Sequence, residues 1–127
     1  MTHNEITAAF IDTAIEIHRK LGPGLLESVY QKILAYELRK RGFDVVEEMP
    51  IPVQWEEVHL DLGFRADLMV NDLVLVELKS CETIHPVYKK QLLTHLRITN
   101  KQVGLLINFG EELLKKGIHR IVNNYSE

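Results

Sequence analysis

The sequence predicts a mixed α/β fold in which helices pack on a sheet. Two stretches with helical spacing of apolar residues open the chain, and strand patterns rich in Val, Leu and aromatic residues follow them. A further helical stretch and two more strand patterns complete it. This order of helices, antiparallel strands, helix and strand implies a mixed sheet with helices packed on it.

The first two helices are predicted from their apolar spacing and from their ends. The first covers "EITAAFIDTAIEIHRKLG" and stops at the break Gly22-Pro23-Gly24. The second covers "LLESVYQKILAYELRKRG", and Gly42 stands where a C-terminal cap is expected. The apolar side predicted for this second helix comprises Leu26, Val29, Tyr30, Ile33, Leu34 and Leu38.

Strand patterns begin at Phe43. The segments "FDVVEEMPIPVQW", "VHLDLGFRADLMV" and "LVLVELKS" predict a meander of about three antiparallel strands. The segment "HPVYKKQLLTHLRITN" then returns to helical spacing. After it, "KQVGLLINFG" predicts another buried strand and "GIHRIVNN" a short final one.

Length and composition narrow the class of protein. The chain has 127 residues, 46% of them apolar, which suits one domain over residues 1–127. The 15 Lys and Arg against 18 Asp and Glu give a formal charge of −3, which argues against a tight polyanion binder. With no apolar run as long as a membrane span and no secretory signal, we expect a cytoplasmic protein. The one cysteine, Cys81, excludes an internal disulfide and a four-cysteine zinc site.

One buried strand pattern carries two charged residues. Glu77 and Lys79 end the apolar run "LVLVELKS", where removing a charge from water is costly unless a partner or a metal compensates. Side chains alternate along a strand, so Glu77 and Lys79 lie on the same surface of the sheet.

The spacing of the chain brings a second acid, Asp67, to this pair. In a hairpin whose loop is Asn71-Asp72-Leu73, Val70 faces Val74. The same register sets Asp67 opposite Glu77, ten positions away, with both carboxylates on one face. A two-residue turn would instead place the carboxylates on opposite faces. We expect the three-residue or bulged form.

Two carboxylates and a lysine on one surface suit a Mg²⁺ site. Asp67 and Glu77 would bind the ion, which would lower the pKa of a water and neutralise charge on a phosphate. Lys79 would orient that water, act on it as a base or stabilise the developing charge. These roles fit phosphodiester hydrolysis. A structural alternative stays open at this point, in which Glu77 and Lys79 form a cross-strand ion pair and Asp67 caps a turn.

These residues resemble a known signature. Asp67 followed by Glu77-Leu78-Lys79 is similar to the Asp...Glu-X-Lys motif of the PD-(D/E)XK nuclease superfamily. The segment "GLLESVY" has the Gly-x-x-Glu-x-x-Tyr spacing of the GxxExxY family, a group within that superfamily. The segments "EIHRKLGPGLLESVY", "FRADLMVNDLVLVELKS", "QLLTHL" and "GLLINFG" extend the resemblance, in order, over nearly the whole chain.

The resemblance implies a restriction-endonuclease-like core of helix, antiparallel strands, helix and strand. It also implies a nuclease that depends on Mg²⁺, for which Mn²⁺ substitutes, with DNA as the expected substrate and RNA as the alternative. A homodimer is one assembly it suggests. The alternative is a non-catalytic module of the same fold that binds a protein or a nucleic acid, which the acidic charge balance and small size favour.

The resemblance adds helix residues to the site. Glu27 is implied as a third acidic metal ligand, and Tyr30, on the same helix face, as an accessory residue. Each has a structural alternative, because a carboxylate such as Glu27 complements a helix N-terminus and Tyr30 would fit a core. Related nucleases carry a glutamine, matched by Gln91, and often a tyrosine four residues later, where this chain has His95. His95 would act as a donor in the site or fill space.

Overall fold

A computed structural model describes residues 1–61 and 63–126 and confirms the mixed α/β class. The described helices are α1 (His3–Leu21), α2 (Glu27–Lys40) and α3 (Val87–Thr99), with a short 3-10 helix at Leu114–Gly117. The strands are β1 (Val45–Pro50), β2 (Val53–Trp55), β3 (Val58–Leu60), β4 (Arg65–Val70), β5 (Val74–Lys79), β6 (Val103–Asn108) and β7 (Ile118–Val122). None of the helices in the described part of the chain combines the length and the apolar character needed to cross a bilayer.

The five-stranded sheet has the order β1-β4-β5-β6-β7. Neighbouring strands pair antiparallel, except that β5 and β6 are parallel. A parallel pair needs a long crossover between its strands, and α3 supplies it. The helices α1 and α2 cover one face of the sheet and α3 covers the other, so β5 lies in the middle of three layers.

Each face of the sheet has its own apolar cluster. Against α1 and α2 pack strand residues such as Leu68 and Val76. Against Leu96 of α3 pack residues of the opposite orientation, among them Leu75. Because β5 is covered on both faces, it has no solvent-facing side that would favour polar residues. This explains its nearly continuous apolar run.

The buried side of α2 is narrower than its pattern indicated. The helix starts at Glu27 and ends before Gly42, whose φ of 93° confirms the expected glycine at the C-terminal end. The prediction that Leu26 and Val29 lie on the buried side was wrong, since Leu26 is 74% and Val29 38% exposed. The buried stripe begins at Tyr30 and recurs about every four residues, which leaves Val29 outside it and Leu26 ahead of the helix.

The predicted meander of three strands was wrong in its first part. The first two strand patterns each break in two, and the pieces β2 and β3 form a separate hairpin instead of joining the sheet. Pro50 and Pro52 flank the break between β1 and β2, where a missing N–H and a fixed φ disfavour a continuous ladder. At the tip of the hairpin Glu56 has φ of 53°, and Trp55 is exposed. This excursion leaves β1 paired directly with β4.

Candidate active site

Asp67 and Glu77 lie close together, just beyond a ladder whose register is the one that the spacing predicted. Val70 pairs with Val74 across β4 and β5, which confirms the three-residue loop Asn71-Asp72-Leu73. The first two loop residues have φ of 51° and 54°. Asn and Asp tolerate this left-handed conformation better than most residues, so the loop sequence suits the turn that sets the register.

The ladder between β4 and β5 stops just before the two acids. Its last pair is Leu68 with Val76. Beyond it, the N–H of Leu78 donates to Oδ2 of Asp67 at 2.7 Å, so a carboxylate occupies the place of a backbone carbonyl. Meanwhile β5 stays paired with β6 as far as Lys79, and β4 stays paired with β1. The two central strands therefore diverge at the acids.

A change of face along β4 accounts for this divergence. Leu68 packs with the α1 and α2 cluster, whereas Ala66, two residues earlier, packs with the α3 cluster. Residues two apart on a regular strand share a face, so β4 is locally twisted at Asp67. Glu48, in the facing part of β1, has φ of 50°, an irregularity in the neighbouring strand. The distortion turns the Asp67 side chain toward β5.

Burial perturbs the pKa of both acids, and the charge of Asp67 adds to the effect on Glu77. Burial is the main cause that raises the pKa of Glu77 to about 8, and the charge of Asp67 adds to the rise. Burial also raises the pKa of Asp67, against the opposing effect of the N–H of Leu78. The two carboxyl groups are close enough to share a hydrogen bond when one is protonated. Without a cation, Glu77 therefore holds a proton near neutral pH.

The pair of acids has the features of a site for a hard cation. Oε1 of Glu77 is buried and has no hydrogen-bond partner among the residues the structure describes. A buried carboxylate oxygen without a partner is costly, and a divalent cation would satisfy it while displacing the proton. Mg²⁺ prefers oxygen ligands and usually takes one or two protein carboxylates. Asp67 and Glu77 therefore fit such an ion.

Lys79 lies beside the acids and is held by an aromatic ring. Its Nζ is 4.2 Å from the centre of the ring of Tyr88, in the first turn of α3. No ion pair within residues 1–61 and 63–126 joins Lys79 to Glu77 or to Asp67. The structural alternative of a cross-strand ion pair is therefore wrong. The ammonium is still near, because its charge opposes the rise in pKa of both acids.

Glu27 begins α2 at the edge of this site. Its side chain is exposed, and its charge is one of the causes that raise the pKa of Asp67. In the described part of the chain, no three His, Cys, Asp or Glu side chains come close enough together to hold one metal ion. Glu27 thus lies within electrostatic reach of Asp67 without completing a three-acid cluster. Its role as a third metal ligand stays a prediction.

Tyr30 is a core aromatic whose hydroxyl serves the turn before α2. Its ring stacks on Phe109, with centroids 4.2 Å apart and planes at 18°. The hydroxyl donates to the carbonyl of Gly22 at 2.5 Å and accepts from the N–H of Leu25 at 3.3 Å. These contacts favour the structural alternative for Tyr30, in which it fills the core and organises the chain that leads to Glu27. An accessory role in the chemistry stays a prediction.

The two candidates on α3 have different surroundings. Gln91 is exposed. His95 is buried, its ring lies 5.1 Å from that of Phe64, and its Nδ1 has no hydrogen-bond partner among the described residues. Burial lowers the pKa of His95, so its ring is neutral near pH 7. These contacts favour the space-filling alternative for His95, and the roles of both residues stay predictions.

Two polar residues that the sequence patterns did not single out shape the loop after β5. The hydroxyl of Ser80 donates to the carbonyl of Leu25 at 2.7 Å. The fully buried Asn108 accepts from the N–H groups of Cys81 at 3.0 Å and Gly110 at 2.9 Å, and it donates to the Cys81 carbonyl at 2.9 Å. The signal for Asn108 was a polar residue inside the apolar run "GLLINFG". The only sequence signal for Ser80 was its position at the end of "ELKS".

A mixed sheet with two acids and a lysine at the divergence of its central strands defines a nuclease-like domain. The chain belongs to the PD-(D/E)XK nuclease superfamily, whose family model matches residues 4–121. Comparisons with curated proteins and with solved structures gave no match. The family match and the five-stranded mixed sheet confirm the predicted superfamily and the restriction-endonuclease-like fold. Membership of the narrower GxxExxY family stays a prediction.

Proposed function

We propose that this protein is a Mg²⁺-dependent nuclease that hydrolyses the phosphodiester bonds of DNA, with RNA as the alternative substrate. Its superfamily consists generally of nucleases, which supports a nucleic-acid substrate. The observation that carries the proposal is the convergence of Asp67 and Glu77 where β4 and β5 diverge, together with the unpartnered buried oxygen of Glu77.

Asp67 and Glu77 would hold the cation, and Glu27 would add negative charge at the edge of the site. When bound, Mg²⁺ would acidify water and neutralise the charge that grows on the phosphate, and Mn²⁺ would substitute for it. The N–H of Leu78 fixes the orientation of the Asp67 carboxylate through a 2.7 Å hydrogen bond. This preorganised carboxylate pair lowers the cost of ordering the site on cation binding.

Lys79 would bind the negatively charged substrate or orient the attacking water. Its ammonium rests on the ring of Tyr88 and is not consumed by an ion pair with Glu77 or Asp67, so its charge is available to a phosphate. A cation beside the acids also offsets their repulsion of a phosphate. Gln91, exposed on α3, would donate its side-chain amide to the substrate.

Incubation of the purified protein with labelled single-stranded DNA, double-stranded DNA and RNA tests the proposal. We expect cleavage that requires Mg²⁺ or Mn²⁺ and that EDTA abolishes. Asp67→Ala, Glu77→Ala and Lys79→Ala should each reduce the rate by about 100-fold or more, since each removes a charge that acts on the transition state.

Matched charge changes far from these residues provide the controls. Asp12→Ala on α1 and Lys116→Ala on the 3-10 helix remove an exposed acid and an exposed base and should leave the rate unchanged. Cleavage that survives all three site variants would contradict the proposal. Binding of Mn²⁺ without cleavage of any of these nucleic acids would favour the non-catalytic module instead.

A further inference from the structure

We infer that Ser80 is a positioning residue of this site: by holding the carbonyl of Leu25, its hydroxyl sets where Glu27 lies relative to Asp67. The inference rests on the proposed function in one respect, since it takes Glu27 to contribute to cation binding. Nothing in the superfamily match assigns a role to Ser80.

The turn before α2 has little that fixes it from within. Gly22 and Gly24 have φ of 73° and 110°, conformations that other residues rarely adopt. Glycine also adopts many other conformations, so these two residues do not fix the turn by themselves. Leu26, the N-cap residue of α2, makes no side-chain capping hydrogen bond. The place of Glu27, the first residue of the helix, therefore depends on contacts from outside the turn.

Both polar backbone groups of Leu25 are held by side chains. Its N–H donates to the hydroxyl of Tyr30 at 3.3 Å, and its carbonyl accepts from the hydroxyl of Ser80 at 2.7 Å. The first contact comes from α2 itself and moves with it. The second is shorter and comes from the end of the strand that carries Glu77, so Ser80 connects the start of α2 to the site strand.

The backbone around Ser80 is fixed on both sides. Before it, the carbonyl of Lys79 accepts from the N–H of Phe109 at 2.8 Å. After it, Asn108 makes hydrogen bonds with both the N–H and the carbonyl of Cys81. The Ser80 hydroxyl thus stands on backbone that is tied to β6 and its extension, and the peptide group that it holds is fixed relative to β5.

Glu27 responds to this contact because it lies two residues beyond Leu25. Its side chain is exposed, so the position of its backbone decides how near its carboxylate stays to Asp67. The two charges already interact, since Glu27 is one of the groups that raise the pKa of Asp67. A displacement of about 1 Å is enough to weaken a preorganised ligand set.

Mn²⁺ titration by calorimetry, without nucleic acid, measures the effect. We expect Ser80→Ala to weaken Mn²⁺ binding about five- to tenfold, the size of one lost hydrogen bond, and Ser80→Thr to restore most of the affinity. Thr94→Ala is the matched control, because it removes a 3.1 Å hydroxyl-to-carbonyl hydrogen bond from the exposed face of α3. It should leave the affinity unchanged.

A double-mutant cycle assigns the effect to Glu27. If Ser80 acts through Glu27, Ser80→Ala causes no further loss of Mn²⁺ affinity in a Glu27→Gln background. A merely structural role would cost the same in both backgrounds. Equal losses, or wild-type affinity in Ser80→Ala, would overturn the inference.

Amide hydrogen exchange separates this inference from the proposed function. Ser80→Ala should speed exchange at the hydrogen-bonded amides of Leu25 and Val29 and leave residues 34–40 as in the wild type. Unchanged exchange at these two amides would show that Ser80 does not hold the turn. If the wild-type protein binds no Mn²⁺, the proposed function fails, while the exchange result still decides whether Ser80 holds the turn.

Discussion

The protonation state of Glu77 is set more by its surroundings than by the fact that it is a glutamate. An exposed glutamate is ionised at neutral pH, whereas burial and the charge of Asp67 let Glu77 keep a proton up to about pH 8. A proton and a metal ion stabilise the same pair of acids, so they compete for it. The charged residues of "ELKS" are thereby compensated separately, Glu77 by its proton and Lys79 by the ring of Tyr88.

In EDTA, the wild-type protein should lose stability as the pH rises from about 4.5 to about 8. The folded pKa of Glu77, about 8, lies above its ordinary value of 4.5, so the unfolded chain loses the proton first and ionisation favours unfolding in this window. Glu77→Gln removes this effect, and its free energy of unfolding should exceed that of the wild type at pH 8 by on the order of 2 kcal/mol. Urea unfolding at pH 4.5 and pH 8 measures both.

The control for this experiment is Glu57→Gln, which alters an exposed carboxylate on the loop between β2 and β3. Its unfolding should keep the wild-type pH dependence. A Glu77→Gln variant with the same pH dependence as the wild type would contradict the role given to burial of Glu77.

At the level of elements, the surroundings of Lys79 depend on how α3 packs on the sheet. α3 comes so close to β6 that a Cβ at Gly104 would lie 3.1 Å from the side chain of Leu92. One turn earlier on the same helix, Tyr88 lies over Lys79 of β5. The close approach of α3 to the sheet therefore brings the ring to the lysine.

Tyr88→Leu should lower kcat about fivefold, and Tyr88→Phe should leave it close to the wild-type value. Both keep an apolar side chain, but only the second keeps the aromatic face, and a cation held on such a face gains about 1 kcal/mol. Single-turnover cleavage with saturating Mg²⁺ measures the difference. Equal losses in the two variants would show that the hydroxyl or the packing of Tyr88 matters, and not its attraction for Lys79.

Gly104→Val should destabilise the fold by about 1–3 kcal/mol, because the added side chain must displace Leu92 from its contact with β6. Guanidinium unfolding of the variant gives the free energy. In a Leu92→Ala background the cost of Gly104→Val should be smaller, since the shortened side chain leaves room. An equal cost in both backgrounds would place the strain elsewhere than between α3 and β6.

For the molecule as a whole, the negative net charge opposes the binding of a polyanion. Its formal charge is −3, and the acids of the candidate site repel phosphate wherever they are ionised and no cation neutralises them. The metal should therefore be required already for substrate binding, and not only for hydrolysis. The family match and the fold support a nucleic-acid substrate, so this repulsion has a measurable consequence.

In EDTA at about pH 9, above the pKa of about 8 of Glu77, the Asp67→Asn, Glu77→Gln double variant should bind DNA more tightly than the wild type. Removing negative charge from the site lowers the repulsion of phosphate, with the larger gain at low salt. Fluorescence anisotropy with a labelled oligonucleotide measures the affinity. The Asp12→Asn, Glu57→Gln variant makes the same change of charge elsewhere and should gain less. Equal gains would mean that DNA does not approach the candidate site.

Much of this architecture is visible in local patterns. The order of helices and strands follows from apolar periodicity, and the pairing of Val70 with Val74 follows from a short loop and the alternation of strand side chains. These rules act within a few residues, so they do not depend on contacts with distant segments of the chain. They predicted the register of β4 and β5 that leads to Asp67 and Glu77, but not the twist that turns Asp67 toward β5.

Other features depend on packing between distant segments. The twist of β4 at Asp67 depends on which faces of the sheet the helices cover, since Leu68 packs under α1 and α2 and Ala66 under α3. The contacts of Ser80 with Leu25 and of Lys79 with Tyr88 join residues on different elements. A hydroxyl or an ammonium has many partners open to it in an extended chain. Only the packed layers leave one within reach, because they fix the distances that local periodicity does not specify.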